Sequence, residues 1–136
     1  MNRKDFQRLA ETRLVDAQAL LKSRRYDGAY YLAGYAVECA LKACIAKRTK
    51  RYDFPDLDFV KEIYVHKLEK LLKHTGVSDA VLQEFRKNPT LDTMWGVVKD
   101  WSEESRYEAH GSKKARAMLT AVGDPQGVLA CIRRYW

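Results

Sequence analysis

The sequence predicts an all-α fold, a single small helical domain over residues 1–136. Apolar residues recur at steps of three and four through most of the chain, which is the spacing of one helix face. No stretch of useful length alternates apolar and polar residues as a half-buried strand would. The composition, 46% hydrophobic and 32% charged with only 7 Gly and 3 Pro, is that of a globular chain and excludes a disordered one.

The first predicted helix spans residues 3–24. Polar residues occupy the side opposite its apolar stripe, so we expect this helix to cover a core with one face. The stripe consists of Phe6, Leu9, Ala10, Leu14, Ala17, Leu20 and Leu21.

The second predicted helix, from Tyr26 to about Arg48, is the most informative part of the sequence. Its apolar residues lie on more than one face, and many of them are small, which allows a neighbouring helix to approach closely. Asp27 lies near its start, where the helix dipole favours an acidic side chain. We therefore expect this helix to lie at the centre of the fold or at an interface.

The rest of the chain divides into shorter helices separated by turn residues. Ser78 and Asp124 are predicted N-caps, and Pro125 suits a first helical position. The predicted elements are a connection over 52–65, helices over 66–73, 79–87, 90–101 and 112–122, a polar loop or helix start over 102–111, and a terminal helix after Pro125.

Cysteine content and hydropathy indicate the cellular compartment in which the protein is expected. Cys39, Cys44 and Cys131 are odd in number, and the first two point about 140° apart on a helix, so we expect reduced packing residues rather than disulfides. No apolar signal segment follows the charged N-terminus. The longest charge-free apolar run, Gly28–Val37, is too short to span a bilayer. These features predict a soluble cytoplasmic protein that does not associate with membranes.

No cofactor or metal ion is predicted. The sequence contains no Gly-rich phosphate loop, no HExxH and no CxxC motif. His66 and His74 lie eight residues apart, which does not match a metal-ligand pattern.

The net charge of +7 permits a nucleic-acid or acidic protein partner but is not specific for either. A basic run follows the long helix and contains Lys47, Arg48, Lys50 and Arg51. This run either contacts phosphate groups or forms a solvated helix end that suits the negative end of the dipole.

Glu38 and Lys42 form the first pair of candidate site residues. They lie four apart with the acidic residue first, so they share a helix face and can form an ion pair. Such a pair is often a simple surface contact. Because the pair lies within an apolar helix, the alternative is that it is semi-buried and contributes to a site.

Arg106 and His110 form the second pair. If their segment is helical, the two side chains share a face. Arginine can hold a phosphate through two hydrogen bonds, and histidine can transfer a proton near neutral pH. Together they suit metal-independent RNA cleavage by the neighbouring 2′-hydroxyl. The plainer interpretation is a loop arginine paired with Glu103 or Glu104 and a solvated histidine.

The stretch Tyr26–Ala43 resembles the second helix of HEPN domains, a family named for higher eukaryote and prokaryote nucleotide binding. Three other features agree with this resemblance, which covers about residues 5–135. They are a preceding helix with Ala17 and Leu20-Leu21, the segment His66-Lys67-Leu68-Glu69-Lys70-Leu71-Leu72, and Ser105-Arg106-Tyr107 before a final helix.

The resemblance implies a four- to five-helix up-and-down bundle that is commonly a homodimer. Many relatives are encoded beside a minimal nucleotidyltransferase and act with it as a toxin–antitoxin pair. Catalytic relatives are metal-independent endoribonucleases. The resemblance therefore implies three partners: a second copy of the chain, a nucleotidyltransferase antitoxin, and RNA or a nucleotide.

The resemblance also implies residue roles. Arg106 would hold the scissile phosphate, His110 would be general base or acid, and Glu38 and Lys42 would orient Arg106 or bind the phosphate. Tyr107 and the basic run are further candidates for binding RNA or nucleotide. Four to six residues normally separate the family's Arg and His, whereas three do so here. The alternative function is a non-catalytic module that binds a protein partner or a nucleotide.

Overall fold

The structure is a computed structural model that describes residues 1–49 and 67–136. The predicted connection over 52–65, together with Lys50, Arg51 and His66, lies outside the described residues. Within them the chain is helical and contains no strand, which confirms the all-α prediction. The helices are α1 (Arg3–Lys22), α2 (Tyr26–Arg48), α3 (Leu68–His74), α4 (Ser78–Lys87), α5 (Pro89–Val98), a 3-10 helix (Glu103–Tyr107), α6 (Ser112–Gly123) and α7 (Val128–Arg133).

Helix α1 begins with a capping box. The Asn2 side chain accepts from the Asp5 backbone N–H, and the Asp5 carboxylate accepts from the Asn2 N–H. The buried residues Ala10, Leu14 and Ala17 lie on its inner face, as the apolar stripe predicts, and α1 packs along α2.

Helix α2 lies at the centre of the fold. It is about 33 Å long at 1.5 Å per residue, and it contacts α1, α3, α6, α7 and the 3-10 helix. Thirteen of its 23 residues are buried, because neighbours cover it on several sides. This explains why its apolar residues are not confined to one stripe, and it confirms the expected central position. The small residues of α2 are used for packing within the chain.

The remaining helices complete the core beside α2. Phe85 of α4 stacks on Trp95 of α5 with ring centroids 5.3 Å apart. Helix α5 begins at Pro89, and the Asn88 side chain caps it by accepting from the Leu91 N–H at 3.2 Å. Gly76, with φ +79°, follows the end of α3 in a conformation that favours glycine.

Two predicted helix starts were wrong. Ser78 is the first residue of α4 rather than its cap, and the N-cap residue Val77 makes no side-chain cap bond. Asp124 and Pro125 do not begin the last helix, which starts at Val128. The Asp124 carboxylate instead accepts from the Gln126 backbone N–H at 2.8 Å, so these residues form a turn.

The three cysteines are buried and free, as predicted. Burial raises the pKa of Cys39 to about 12, and it raises the pKa of both Cys44 and Cys131 to about 11. These thiols therefore remain protonated near neutral pH and act as packing groups. Across residues 1–49 and 67–136, no helix has both the length and the apolar character needed to cross a membrane.

Candidate functional site

The candidate site is built on a segment that crosses α2, from Trp101, shortly after α5, to His110, before α6. Trp101 is buried against Gly34 of α2, and its ring lies 5.7 Å from the Tyr31 ring. A Cβ atom at residue 34 would overlap Trp101 Cδ1, closer than real Cβ contacts allow. Gly34 is therefore required for this close approach of the indole to the helix.

His110 anchors the other end of the segment. Its ring stacks on Tyr30 with centroids 3.9 Å apart, and its backbone N–H donates to the Asp27 carboxylate. Its Nε2 lies 3.0 Å from the Ser105 carbonyl oxygen. Because a carbonyl oxygen can only accept, Nε2 carries the proton. The Nδ1 atom is buried and has no hydrogen-bond partner among the described residues, and His110 is only 5% exposed.

Arg106 and Tyr107 lie between these anchors and point outward. The Arg106 side chain is 43% exposed and pairs with Glu103 at 2.9 Å, while Tyr107 is 79% exposed. The Arg106 guanidinium lies 4.9 Å from the centre of the Tyr107 ring. An exposed guanidinium beside an exposed aromatic ring can bind a phosphate and an adjacent base.

Arg106 and His110 do not share a helical face. The 3-10 helix ends at Tyr107, and the Glu108 backbone is extended at φ −105° and ψ 150°. The chain therefore turns His110 into the interior while Arg106 remains outside. The plainer sequence interpretation is correct for Arg106, which pairs with Glu103, and wrong for His110, which is buried.

Glu38 and Lys42 form the predicted pair on α2. Lys42 Nζ lies 3.7 Å from Glu38 Oε1, with the Glu38 side chain 1% exposed and the Lys42 side chain 19% exposed. The pair is thus semi-buried rather than a simple surface contact. A buried carboxylate is stabilised only when it is paired and hydrogen-bonded. The Glu38 carboxylate therefore favours the position of Lys42 beside it.

Tyr31 connects the two halves of the candidate site. Burial raises the pKa of Tyr31, the positive charge of Arg106 opposes the rise, and the negative charge of Glu38 adds to it. Tyr31 therefore lies close enough to feel both groups. The neighbouring Tyr35 ring is 6.1 Å from Tyr31, and burial raises its pKa to about 12. The structure brings Arg106, Glu38 and Lys42 to one side of α2.

The basic run lies elsewhere. Lys47 and Arg48 are exposed at the far end of α2, roughly 24 Å along the helix from Tyr31 at 1.5 Å per residue. Arg48 Nη1 donates to the His74 carbonyl at 3.2 Å, so it helps to join α2 to α3. Lys50 and Arg51 are not among the described residues.

The anchor residues of this site were missed by sequence reasoning. Gly34, Trp101, Asp27, Tyr30 and Ser105 position the segment, yet only Gly34 carried a usable signal. A glycine inside a helix lowers helix stability by about 1 kcal/mol relative to alanine. Its presence in a strongly helical stretch therefore indicates that another group needs the space.

Among the described residues, neither a metal cluster nor the cleft beside α4 overlaps this site. Within residues 1–49 and 67–136, no three His, Cys, Asp or Glu side chains cluster as a metal site would require. A cleft of about 540 Å³ opens between α4, α5 and α7, but it shares no residue with the Arg106 segment. Its polar residues include Glu84 and Arg134, which pair with each other.

Comparison with known proteins identifies the family. The HEPN domain family model matches residues 4–135, nearly the whole chain. The chain therefore belongs to the HEPN family, whose functions relate in general to nucleotides and RNA. No curated protein and no solved structure gives a significant match.

Proposed function

We propose that this protein binds RNA or nucleotide phosphate through a surface formed by Arg106, Tyr107 and Tyr31, without cleaving the RNA. We call these three residues the Arg106 surface. The observation that carries the proposal is the opposite exposure of two residues four positions apart. Arg106 is exposed beside an aromatic ring, whereas the His110 ring is buried and bonded to the backbone.

The chemistry of the Arg106 surface supports phosphate binding. The guanidinium is planar and permanently charged, and its donors match two phosphate oxygens at once. Glu103 holds it near the surface without burying it. Tyr107 offers an open ring face for a base, and such stacking contributes about 1–3 kcal/mol per base.

The state of His110 supports binding without cleavage. A general base must reach the hydroxyl proton that it removes within hydrogen-bond distance. His110 Nε2 is already bonded to Ser105, and Nδ1 is buried. The imidazole is thus committed to holding the segment that carries Arg106.

Equilibrium binding to a short single-stranded RNA and to AMP tests the proposal. Arg106→Gln should weaken both affinities at least about tenfold, since a charge-assisted bidentate contact is lost. Tyr107→Ala should weaken RNA binding by a similar factor. Arg86→Gln is the matched control, because Arg86 is an exposed cation on α4. Equal binding by wild type and Arg106→Gln would reject the proposal.

The nuclease function is the second candidate, in which the chain is the toxin of a nucleotidyltransferase–HEPN pair. It is favoured by the common position of Arg106, Glu38 and Lys42 around Tyr31. Here Arg106 and Lys42 would bind the phosphate, Glu38 would orient them, and His110 would transfer the proton after a rearrangement that exposes its ring. RNA cleavage in EDTA by wild type, lost in both Arg106→Ala and His110→Ala, would favour this candidate over binding alone.

Two partners belong to the same proposal. We propose a homodimer, which would bring two Arg106 surfaces into one complex, and a nucleotidyltransferase that binds this dimer. Light scattering of the purified chain tests the first partner, and co-purification with a nucleotidyltransferase encoded beside it tests the second. A monomer at all accessible concentrations would reject the homodimer.

A further inference from the structure

A cluster of exposed cations lies at one end of the bundle, where the turn between α1 and α2 meets the start of α6. We call it the basic corner, and it consists of Arg24, Arg25, Lys113, Lys114 and Arg116. It lies at the opposite end of α2 from Lys47 and Arg48. Sequence reasoning did not identify it, because its members are separated by almost 90 residues.

Two tyrosines of α2 contact two of the five cations of the corner. The Arg116 guanidinium lies 6.0 Å from the Tyr26 ring centre, and Arg116 Nε donates to Ser112 Oγ at 3.0 Å. Lys114 Nζ lies 5.0 Å from the Tyr30 ring centre. These contacts reduce the rotamer freedom that long basic side chains would lose on binding an anion.

Arg24 and Arg116 both act on the Tyr26 hydroxyl through their positive charge. A hydrogen bond with Ser112, together with the positive charges of Arg116 and Arg24, lowers the pKa of Tyr26. Arg116 lies over the Tyr26 ring, and Arg24 precedes Tyr26 by two residues on the α1–α2 turn, so the two cations come from different elements. Arg24 adopts a positive φ of 60° at the α1–α2 turn.

The charge of the basic corner is not neutralised within the described residues. None of its five cations forms an ion pair with a described carboxylate. The neighbouring acidic groups include Asp27, which accepts the His110 N–H, and Glu108 and Asp100, whose charges act on Tyr30.

The cations of α6 also do not serve the helix itself. Helix α6 has no acidic residue in its first turn, and Lys113 and Lys114 lie where the positive end of the helix dipole disfavours cations. Their charge therefore does not stabilise the start of this helix, which favours a role in binding an external anion.

The basic corner is close to the Arg106 surface. Six residues lead from Arg106 to Ser112, so their Cα atoms are at most about 20 Å apart. That separation corresponds to about six phosphates along a strand of nucleic acid at 3.4 Å each. A short strand can therefore contact both surfaces at once, and it offers several phosphates to the five exposed cations of the corner, whereas AMP offers only one.

We propose that the basic corner binds the phosphate backbone of RNA, so that the ligand of this protein is an RNA strand of several nucleotides rather than a mononucleotide. The inference rests on the proposed function, because the Arg106 surface would hold one part of the strand. The corner then supplies additional phosphate contacts that do not depend on sequence.

The test compares two triple variants with equal loss of charge. The corner variant is Arg24→Gln/Lys114→Gln/Arg116→Gln. The control is Lys70→Gln/Lys73→Gln/Arg86→Gln, which removes three exposed cations of α3 and α4. Each variant lowers the net charge from +7 to +4, since 7 − 3 = 4. Binding of a single-stranded RNA of about 12 nucleotides is measured between roughly 50 and 200 mM salt, with AMP as the mononucleotide.

The corner variant should bind the RNA at least about tenfold more weakly at low salt. Its slope of log affinity against log salt should fall by about 2, because single strands lose about 0.7 per phosphate contact. AMP affinity should be unchanged, and the control should bind RNA within about threefold of wild type. Circular dichroism and thermal unfolding serve to check that both variants are folded.

Three results would overturn the inference, and they separate it from the proposed function. Equal salt slopes in the corner and control variants would reject the corner while leaving the Arg106 surface intact. Equal loss of AMP and RNA binding in the corner variant would mean that the corner is itself a mononucleotide site. No binding of RNA or AMP by wild type would reject the proposed function and the inference with it.

Discussion

The two sides of the segment from Trp101 to His110 differ in almost every physical respect. On the inner side, Trp101 packs on Gly34 and His110 stacks on Tyr30, and both are buried. On the outer side, Arg106 and its neighbour are exposed and make only surface contacts. The same short segment therefore combines a buried anchor with the exposed surface for which we propose a binding role.

This difference separates stability from binding. Substitutions on the inner side remove buried contacts and lower the free energy of unfolding by several kcal/mol. Substitutions on the outer side leave the core unchanged and usually change the free energy of unfolding by less than about 0.5 kcal/mol. A loop that carries function on a scaffold needs both properties, because a binding side chain must be exposed and yet held in position.

The largest effect is expected for Trp101→Ala. Removing this buried indole should lower the free energy of unfolding by about 3–5 kcal/mol, because a cavity forms between the segment and α2. Urea unfolding followed by circular dichroism measures the change. Trp136→Ala, at a half-buried terminal position, is the control and should be less destabilising. Equal losses in the two variants would contradict the anchoring role of Trp101.

Gly34→Ala should have the next largest effect. The new Cβ would overlap the indole of Trp101, so the variant should lose about 2–3 kcal/mol in free energy of unfolding. Gly96→Ala on α5 is the matched control. Among the described residues, no neighbouring atom lies within 4 Å of the position that a Cβ on Gly96 would take, so this variant should gain up to about 1 kcal/mol.

A double-mutant cycle sharpens this test. In the Trp101→Ala background the overlap no longer exists, so Gly34→Ala should become neutral or stabilising. Additive losses in the double variant would show that Gly34 is needed for a reason other than contact with Trp101.

His110 is expected to contribute less than Trp101. His110→Ala loses the Tyr30 stack and the Ser105 hydrogen bond, and should cost about 2 kcal/mol. His110→Phe retains a ring against Tyr30 and removes the buried Nδ1 atom that has no partner among the described residues, so it should cost about 1 kcal/mol.

The two His110 variants also separate anchoring from catalysis. His110→Phe should bind RNA within about threefold of wild type, since the segment keeps its position. Chemical denaturation and RNA-binding titrations measure the two quantities. Loss of an RNA-cleaving activity in His110→Phe, with binding retained, would instead favour the nuclease candidate.

Much of the fold follows from local patterns. The bounds of α2 were predicted as Tyr26 to about Arg48 and are observed there, because a long apolar stretch and a terminal basic run mark them. Helix caps were less predictable. Ser78 and Asp124 are typical capping residues, but Val77 and Gly127 precede the observed helices, since cap choice depends on the tertiary path of the chain.

The site was predictable only in part. The Glu38–Lys42 pair follows from helical spacing and is observed. Glu103 was one of the two partners expected for a loop arginine at position 106, and that pair is observed within the 3-10 helix. The burial of His110 depends on Asp27, which is 83 residues away in sequence. No local pattern shows such a contact, which explains why an exposed histidine was the natural expectation for this polar stretch.

The smallest effect is expected on the outer side, for Glu103→Gln. Glu103 holds the Arg106 guanidinium at 2.9 Å and competes with any phosphate for its donors. An exposed ion pair of this kind contributes only about 0.5–1 kcal/mol, so removing the carboxylate charge should tighten RNA binding about two- to fivefold. The free energy of unfolding should change by less than about 0.5 kcal/mol.

Glu104→Gln is the control for Glu103→Gln. It removes the same charge from the adjacent exposed residue, which makes no ion pair with a described side chain. If Arg106 binds the phosphate, Glu103→Gln should tighten RNA binding more than Glu104→Gln does, because only the former releases the guanidinium. Equal gains would mean that net charge alone acts at this surface. A weaker affinity in Glu103→Gln would mean that the carboxylate positions Arg106 for the ligand, so that the ion pair is part of the binding surface rather than its competitor.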